Sequence, residues 1–224
     1  MTDAALGYEE ARFGAGGREP YERVLRRSSG RLHLRGAHDG GRRELDVLRF
    51  LTGPTRAERR LLSYLDGPLI DLGCGPGRML QAAKQVGLHA VGVDISAASV
   101  EIARERGLDA VHRSVFDPLP AEGEWGAALL IDGNIGIGGD PARLLSRCVS
   151  LIKPGGSVLV EVHRDLRRDS RFTAVLVDEQ DDASLPFPWA EVGLRPLRSY
   201  AQRSGLRLAG EHRIDRRVIA RLSV

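Results

Sequence analysis

The stretch that decides the fold is Pro68-Leu69-Ile70-Asp71-Leu72-Gly73-Cys74-Gly75-Pro76-Gly77-Arg78. Its apolar first half predicts a short buried strand. Its glycines predict a tight turn at which the backbone can approach a ligand without Cβ atoms in the way. The following residues, 79–86, have helical character. A dinucleotide-binding fingerprint, G-x-G-x-x-G, would place its third glycine at position 78, which is Arg78 here, so the spacing argues against a dinucleotide site.

The composition indicates a soluble globular protein. The chain has 224 residues, of which 42% are hydrophobic and 28% charged, which is typical of one domain with a substantial core. We expect no membrane span, because no apolar run reaches the roughly 18 residues required, and no secretory signal. Two cysteines, Cys74 and Cys148, are too few for a disulfide framework, so we expect a cytoplasmic protein. Basic and acidic residues are interleaved, with a net charge of +3, which does not favour a nucleic-acid or membrane partner.

After Pro68, short apolar strands alternate with helices. We predict strands at 69–72, 90–93, 110–112, 125–131 and 157–162, and helices at 79–86, 97–106 and 141–151. Such alternation implies a parallel sheet covered on both faces. Near the C-terminus, a helix at 196–204 precedes two strands, 206–214 and 216–222, which would add one antiparallel strand to the sheet.

The remaining segments are less regular. Residues 1–54 are predicted to form an N-terminal helical or lid segment, with helices at 21–27 and 44–51 and a loop at 28–43. The main domain would then cover 55–224 and open with a helix at 55–65. Residues 164–193 also lack a clear pattern. We expect the contacts with a substrate to come from 1–50 and 164–193.

Asp94 directly follows the second predicted strand. Ligands of open α/β sheets bind at the carboxyl ends of the strands, near the switch in strand order. A carboxylate there can accept hydrogen bonds from both hydroxyls of a ribose. The alternative is that Asp94 only caps the helix that begins at Ala97, although Ser96 is better placed for that role.

The pattern D-x-G-x-G-x-G from Asp71 to Gly77, together with Asp94, resembles the cofactor motifs of the class I S-adenosylmethionine (SAM)-dependent methyltransferases. The turn before the fifth strand, Lys153-Pro154-Gly155-Gly156, also resembles that family. The resemblance covers roughly residues 55–224. It implies a Rossmann-like three-layer α/β sandwich, with a seven-stranded, mostly parallel sheet and an antiparallel last strand. It also implies SAM as cofactor and S-adenosylhomocysteine (SAH) as product.

The resemblance further implies which residues hold this cofactor. The glycine loop and the ribose site would comprise Asp71, Gly73, Cys74, Gly75, Gly77, Asp94 and Ile95. The adenine would be framed by Ser114, Val115 and Phe116, and the methionyl end would lie beside Asp132, Gly133 and Asn134. Many family members carry an acidic residue where this chain has Ser114, so the usual carboxylate contact with adenine is in question. Phe116 either stacks on the purine or belongs to the core.

Methyl transfer is a direct displacement, to which an enzyme contributes mainly proximity and alignment. A general base is needed only if the acceptor arrives protonated. His163, at the end of the fifth strand, is the leading candidate. The alternative is that it is a partly exposed histidine without a catalytic role. His33, His38, Tyr8 and Tyr21 are further candidates in the N-terminal segment. No metal-binding motif is present, and we expect no metal.

These patterns predict a SAM-dependent methyltransferase acting on an O, N or C nucleophile of a small molecule, with secondary metabolites as the first class to consider. Two alternatives remain open. One is an enzyme that uses the same fold and cofactor without methylating, such as a cyclase, a decarboxylase or an aminocarboxypropyl transferase. The other is a non-catalytic SAM-binding protein. The sequence leaves the acceptor and the oligomeric state open.

Overall fold

The structure, a computed structural model, describes residue 13 and residues 20–36 and 41–224. Within these ranges the elements are, in chain order, α1 (Pro20–Arg27), β1 (Leu32–Gly36), β2 (Arg42–Leu45), α2 (Val47–Leu51), α3 (Arg56–Leu62), β3 (Leu69–Leu72), α4 (Arg78–Gln85), β4 (Ala90–Asp94), α5 (Ala97–Glu105), β5 (Ala110–His112), β6 (Trp125–Leu130), a 3₁₀ segment (Asn134–Gly139), α6 (Pro141–Leu151), β7 (Ile152–Val162), β8 (Asp169–Asp178), β9 (Phe187–Val192), α7 (Leu194–Arg203), β10 (Arg207–Ile214) and β11 (Arg217–Ser223).

The main sheet has seven strands in the order β5-β4-β3-β6-β7-β11-β10. The strands from β5 to β7 are parallel, and β11 runs antiparallel to both of its neighbours. This arrangement confirms the predicted fold class. The chain leaves β3 towards β4 and β5 on one side and later adds β6 and β7 on the other. The switch in strand order therefore lies between β3 and β6, where open α/β sheets bind their ligands.

Alternating residues of the central strands supply cores on both faces of this sheet. Ile70 and Leu72 pack on one face with residues of α6 and α7, such as Leu144 and Leu197. Leu69 packs on the opposite face with side chains from α3 and α4. Successive side chains of a strand point to opposite faces, so a continuous apolar run is required when both faces are covered. This explains why the central strands have no polar alternation.

A second, four-stranded sheet, in the order β2-β1-β8-β9, is antiparallel throughout. The predictions of a loop at 28–43 and of an irregular segment at 164–193 are therefore wrong. The first range contains β1 and part of β2, and the second contains β8 and β9. The described part of the N-terminal segment contains both helices and strands, and the division of the chain at 54/55 stays a prediction. Arginine and glycine within β1 and β2 obscure the alternation of apolar and polar residues that would indicate strands. In addition, β1 pairs with β8 from a distant part of the chain, so no local pattern reveals the pairing.

None of the helices in the described ranges is long and apolar enough to cross a membrane.

Candidate functional site

A cavity of about 440 Å³ opens at the carboxyl edge of the main sheet, a volume typical of small-molecule sites. One wall consists of the strand ends, and the opposite wall is contributed largely by the second sheet. The first wall brings together most of the predicted cofactor residues: Asp71, Gly73, Cys74, Gly75, Asp94, Ile95, Ser114, Val115, Phe116, Asp132 and Asn134. Gly77 and Gly133 are not among the lining residues.

The glycine loop takes its shape from positive φ angles and close packing. Gly73 has φ +79°, and a Cβ atom there would lie 2.6 Å from Nδ2 of Asn134. That amide donates to the carbonyl oxygens of Leu72 and Gly73 at 3.0 and 2.8 Å. Gly77 has φ +90° and precedes α4, where a Cβ would lie 2.6 Å from a methyl group of Leu108. Larger residues would therefore displace the loop from the cavity wall.

Asp94 is almost fully buried at the end of β4. Its Oδ2 accepts a hydrogen bond from the Gly75 amide at 2.7 Å, and its Oδ1 accepts one from the Ser96 amide at 2.8 Å. Ser96, not Asp94, caps α5, because its hydroxyl accepts from the Ser99 amide. Burial raises the pKa of Asp94, and the two amide hydrogen bonds oppose that rise. Each carboxylate oxygen retains a lone pair for a further donor.

Asp71 is a second buried carboxyl group in this wall, 2% exposed. Burial, with smaller contributions from the charges of Asp132 and Asp94, raises the pKa of Asp71 to about 8. Carboxylates so close together disfavour one another's ionisation. A cationic ligand would relieve this repulsion, so the wall suits a positively charged group.

The free energy of unfolding should therefore fall as the pH rises from about 4 to about 8. Asp71 keeps its proton in the folded state over this window, whereas an unfolded aspartate loses it near pH 4. The variant D71N should show a flatter pH dependence in urea titrations at pH 5, 6, 7 and 8. Because Asp94 and Glu161 also have raised pKa values, the difference between the two proteins isolates Asp71. Identical pH slopes would contradict this assignment.

Both polar and apolar side chains line the predicted adenine end of the cavity. The Ser114 hydroxyl accepts from the Phe116 amide at 3.3 Å, and the Ser114 amide donates to Asp117 Oδ2 at 3.1 Å. The guanidinium of Arg143 lies 4.3 Å from the centroid of the Phe116 ring. Phe116 thus both packs against the core and lines the cavity. Ser114 and Asp117 both line this end of the cavity and carry acceptor oxygens, and their contact with adenine stays a prediction.

A buried ion network holds Asp132, which lies at the predicted methionyl end. Arg78 bridges Glu58 and Asp132 with short ion pairs. Arg217 donates to Glu58 at 2.6 Å and to Glu161 at 3.3 Å. The Asp132 amide in turn donates to Glu161 at 2.9 Å. Sequence reasoning missed this network, because its members are scattered along the chain and no local pattern connects them.

His163 is not among the described residues that line this cavity. Its amide donates to the Val192 carbonyl at 2.8 Å, and its Nδ1 accepts from the Asp165 amide at 3.1 Å. The geometry therefore favours the alternative without a catalytic role. The role of general base stays a prediction that the structure does not support.

Replacing His163 with alanine should accordingly leave the rate of methyl transfer unchanged. Loss of a true general base lowers turnover by about 10²–10⁴-fold. Single-turnover rates of H163A and the unchanged protein, measured with saturating SAM and an accepted substrate, distinguish the two cases. A fall of about 10²–10⁴-fold in the rate of methyl transfer would instead support His163 as the general base.

Of the other candidates for a base, Tyr21 lines the cavity. Burial, followed by the charge of Asp94, raises the pKa of Tyr21 well above its ordinary value, so its hydroxyl stays protonated and can only donate or accept hydrogen bonds. His33 lies on β1 and pairs with Arg42. Tyr8 and His38 lie outside the described residues.

The opposite wall of the cavity is largely apolar, and its residues come from the two segments, 1–50 and 164–193, that we expected to contact a substrate. Its members come from the second sheet, α1, α2 and residue 13: Phe13, Tyr21, Leu34, Leu45, Phe50, Phe187 and Trp189. The rings of Phe13 and Trp189 are stacked at 5.5 Å, and Phe187 meets Trp189 edge to face at 6.0 Å. This wall therefore excludes water from the strand ends that it faces.

Comparison with known proteins gives a consistent family. The family model described as "Methyltransferase domain" matches residues 43–209, which is more than half of the chain. A ubiquinone biosynthesis O-methyltransferase of Bordetella avium is 30% identical over 115 residues, which are 47% of each chain. A trans-aconitate 2-methyltransferase of Paracidovorax citrulli is 29% identical over 133 residues, 56% of this chain and 51% of the relative. The chain thus spans about half the length of the curated relatives it matches.

Among solved structures, a SAM-dependent methyltransferase from Bacteroides fragilis in complex with SAH resembles this protein over nearly its whole length. The match covers 98% of this chain and 97% of that one, with a TM-score of 0.74 and 22% identity. At this identity the likeness shows the fold alone. The family model supplies the assignment: this chain belongs to the methyltransferase-domain family.

Proposed function

We propose that this protein is a SAM-dependent methyltransferase whose acceptor is a small molecule with an apolar body. The observation that carries the proposal is the single cavity in which Asp94, Asp71 and the glycine loop face an apolar wall. A cavity with one polar and one apolar wall suits a polar cofactor at the first wall and an apolar acceptor at the second. The family assignment and the fold support the same function.

The donor set of the first wall fits SAM. Asp94 has free lone pairs for two ribose hydroxyls, and the glycine loop allows the close approach that such a ligand needs. Asp132 supplies a carboxylate where a cation would be held, and Asp71 is a buried, protonated carboxyl group whose ionisation a bound cation would favour. SAM, when bound, supplies a methyl group on a sulfonium, at a carbon already activated for displacement.

The chain's own residues then position and shield the reactants. Arg78 and Arg217 hold Asp132 in the cavity wall. The apolar wall excludes water, and in a dry site electrostatic interactions are stronger. No histidine lines the cavity within the described part of the chain. The proposed mechanism therefore relies on alignment, and it favours acceptors that arrive as anions or as neutral nucleophiles.

Calorimetry and product analysis test this function. SAM and SAH should both bind, and NAD should not. Incubation with SAM and a panel of small acceptors should produce SAH in amounts equal to the methylated product. Turnover of SAM to a different product would favour the non-methylating alternative, and binding without turnover would favour a SAM-binding protein. Binding of NAD in place of SAM would overturn all three.

We also propose a cytoplasmic location. Cys74 and Cys148 are both buried free thiols in the structure, which fits a reducing compartment. Secondary metabolites remain the first class of acceptor to test.

A further inference from the structure

One face of the second sheet forms part of the apolar wall. Leu34 of β1 and both Phe187 and Trp189 of β9 line the cavity. The pairing of β1 with β2 places Arg43 directly opposite Leu34, and Leu45 opposite Leu32. Directly paired residues of antiparallel strands share a face. Arg43 therefore lies on the same face as these apolar residues, and it lines the cavity as they do.

Arg43 has only a weak partner within the described part of the chain. Its Nε lies 3.8 Å from Oε1 of Glu191, and its side chain is 44% exposed. The other oxygen of Glu191 already accepts a hydrogen bond from Arg168 at 2.9 Å. The guanidinium of Arg43 thus keeps donors free on a face that is otherwise apolar.

The other arginines that line the cavity are engaged. Arg78 is bound to Glu58 and Asp132. Arg143 covers the ring of Phe116, and Arg113 donates to the Pro118 carbonyl at 2.7 Å. Among the described lining residues, Arg43 is the cation best placed to meet a ligand on the side away from the glycine loop.

We propose that Arg43 anchors a carboxylate on the acceptor, whose apolar body lies against Phe187 and Trp189. This inference rests on the proposed function and narrows its substrate to small apolar or aromatic acids. A guanidinium pairs with a carboxylate through two parallel hydrogen bonds, which fix orientation as well as charge. An apolar pocket with one such polar group is the usual composition of a specific small-molecule site.

The test compares 2-naphthoate with 2-naphthamide, which have the same ring system and differ in charge. Binding is measured by calorimetry in the presence of saturating SAH, and by quenching of tryptophan fluorescence. The chain has two tryptophans; Trp189 lines the cavity, whereas Trp125 stacks with His89 and does not line it. The unchanged protein should bind the carboxylate about tenfold more tightly than the amide.

The variant R43Q should reduce this ratio to near one, with the affinity for the amide retained. R42Q is the matched control: Arg42 is its neighbour on β2, points to the opposite face and contacts His33. R42Q should keep the preference for the carboxylate. Equal binding of the two probes to the unchanged protein, a preference that survives R43Q, or no binding of either probe would overturn the proposal. Because SAH binding and SAH production are measured separately, failure here is distinguishable from failure of the proposed function.

Discussion

Replacing Glu58 with glutamine should lower the free energy of unfolding by about 3–5 kcal/mol, the cost of breaking a buried ion pair by removing one partner. Glu58 is fully buried, and its carboxylate contacts three guanidinium groups, those of Arg49, Arg78 and Arg217. Arg78 and Arg217 are themselves buried. A neutral amide would leave these two cations with too little negative charge around them.

Glu58 also caps α3. Its Oε2 accepts a hydrogen bond from the Thr55 amide at 2.9 Å, and the Thr55 hydroxyl accepts one from the Glu58 amide. This reciprocal arrangement is the capping box of α3, and a glutamine at this position can retain it because its amide oxygen also accepts hydrogen bonds. The loss expected for E58Q therefore comes from the ion pairs that connect α3 to the start of α4 and to β11. Weakening of these ion pairs should loosen the glycine loop.

Urea denaturation of E58Q and of the unchanged protein measures the effect. The control is E101Q, because Glu101 forms a 2.9 Å ion pair with Arg26 in which both side chains are more than half exposed, and such a pair should contribute little to stability. The double variant E58Q/R217M should lose less than the sum of the two single losses, because both residues belong to one network. A loss for E58Q as small as that for E101Q would contradict the role assigned to the network.

The main sheet could be predicted from the sequence because its signals are local. Leu69–Leu72 and Ala110–His112 have the predicted bounds, and Pro141–Leu151 has the predicted helix. Two of these elements have a boundary residue with a defined conformational role. Gly73 ends β3 with a positive φ, and Asp140 caps α6 through its side chain. Such signals can be read within a few residues.

The second sheet and the ion network could not be predicted because their partners are distant in the sequence. β1 pairs with β8 from a distant part of the chain, and this pairing aligns Leu34 with Leu176. Arg78 binds Glu58 and Asp132, which lie 20 and 54 positions away. The sequence therefore predicted residues that the structure brings together in one cavity wall, and their role in cofactor binding stays a prediction, whereas the individual residues of the apolar wall and Arg43 required the structure.

Replacing Asp94 with asparagine should weaken SAM binding by about 100-fold or more. Two hydrogen bonds to a charged acceptor are each worth about 1.5–3 kcal/mol, and an amide offers one acceptor oxygen in place of two. The ribose is common to SAM, SAH and adenosine, so the affinity for all three should fall by a similar factor in calorimetric titrations. A loss confined to SAM would instead point to an effect on the sulfonium.

The difficulty with D94N is that Asp94 also holds the backbone, through the amides of Gly75 and Ser96. A loss of affinity could then reflect a loosened loop. S96A provides the matched control, because the Ser96 hydroxyl caps α5 but does not line the cavity. Loss of that cap should cost about 1 kcal/mol of stability while leaving the cofactor affinity close to that of the unchanged protein. If S96A, at equal or greater loss of thermal stability, weakens SAM binding as much as D94N does, the contact between Asp94 and the ribose is not the cause.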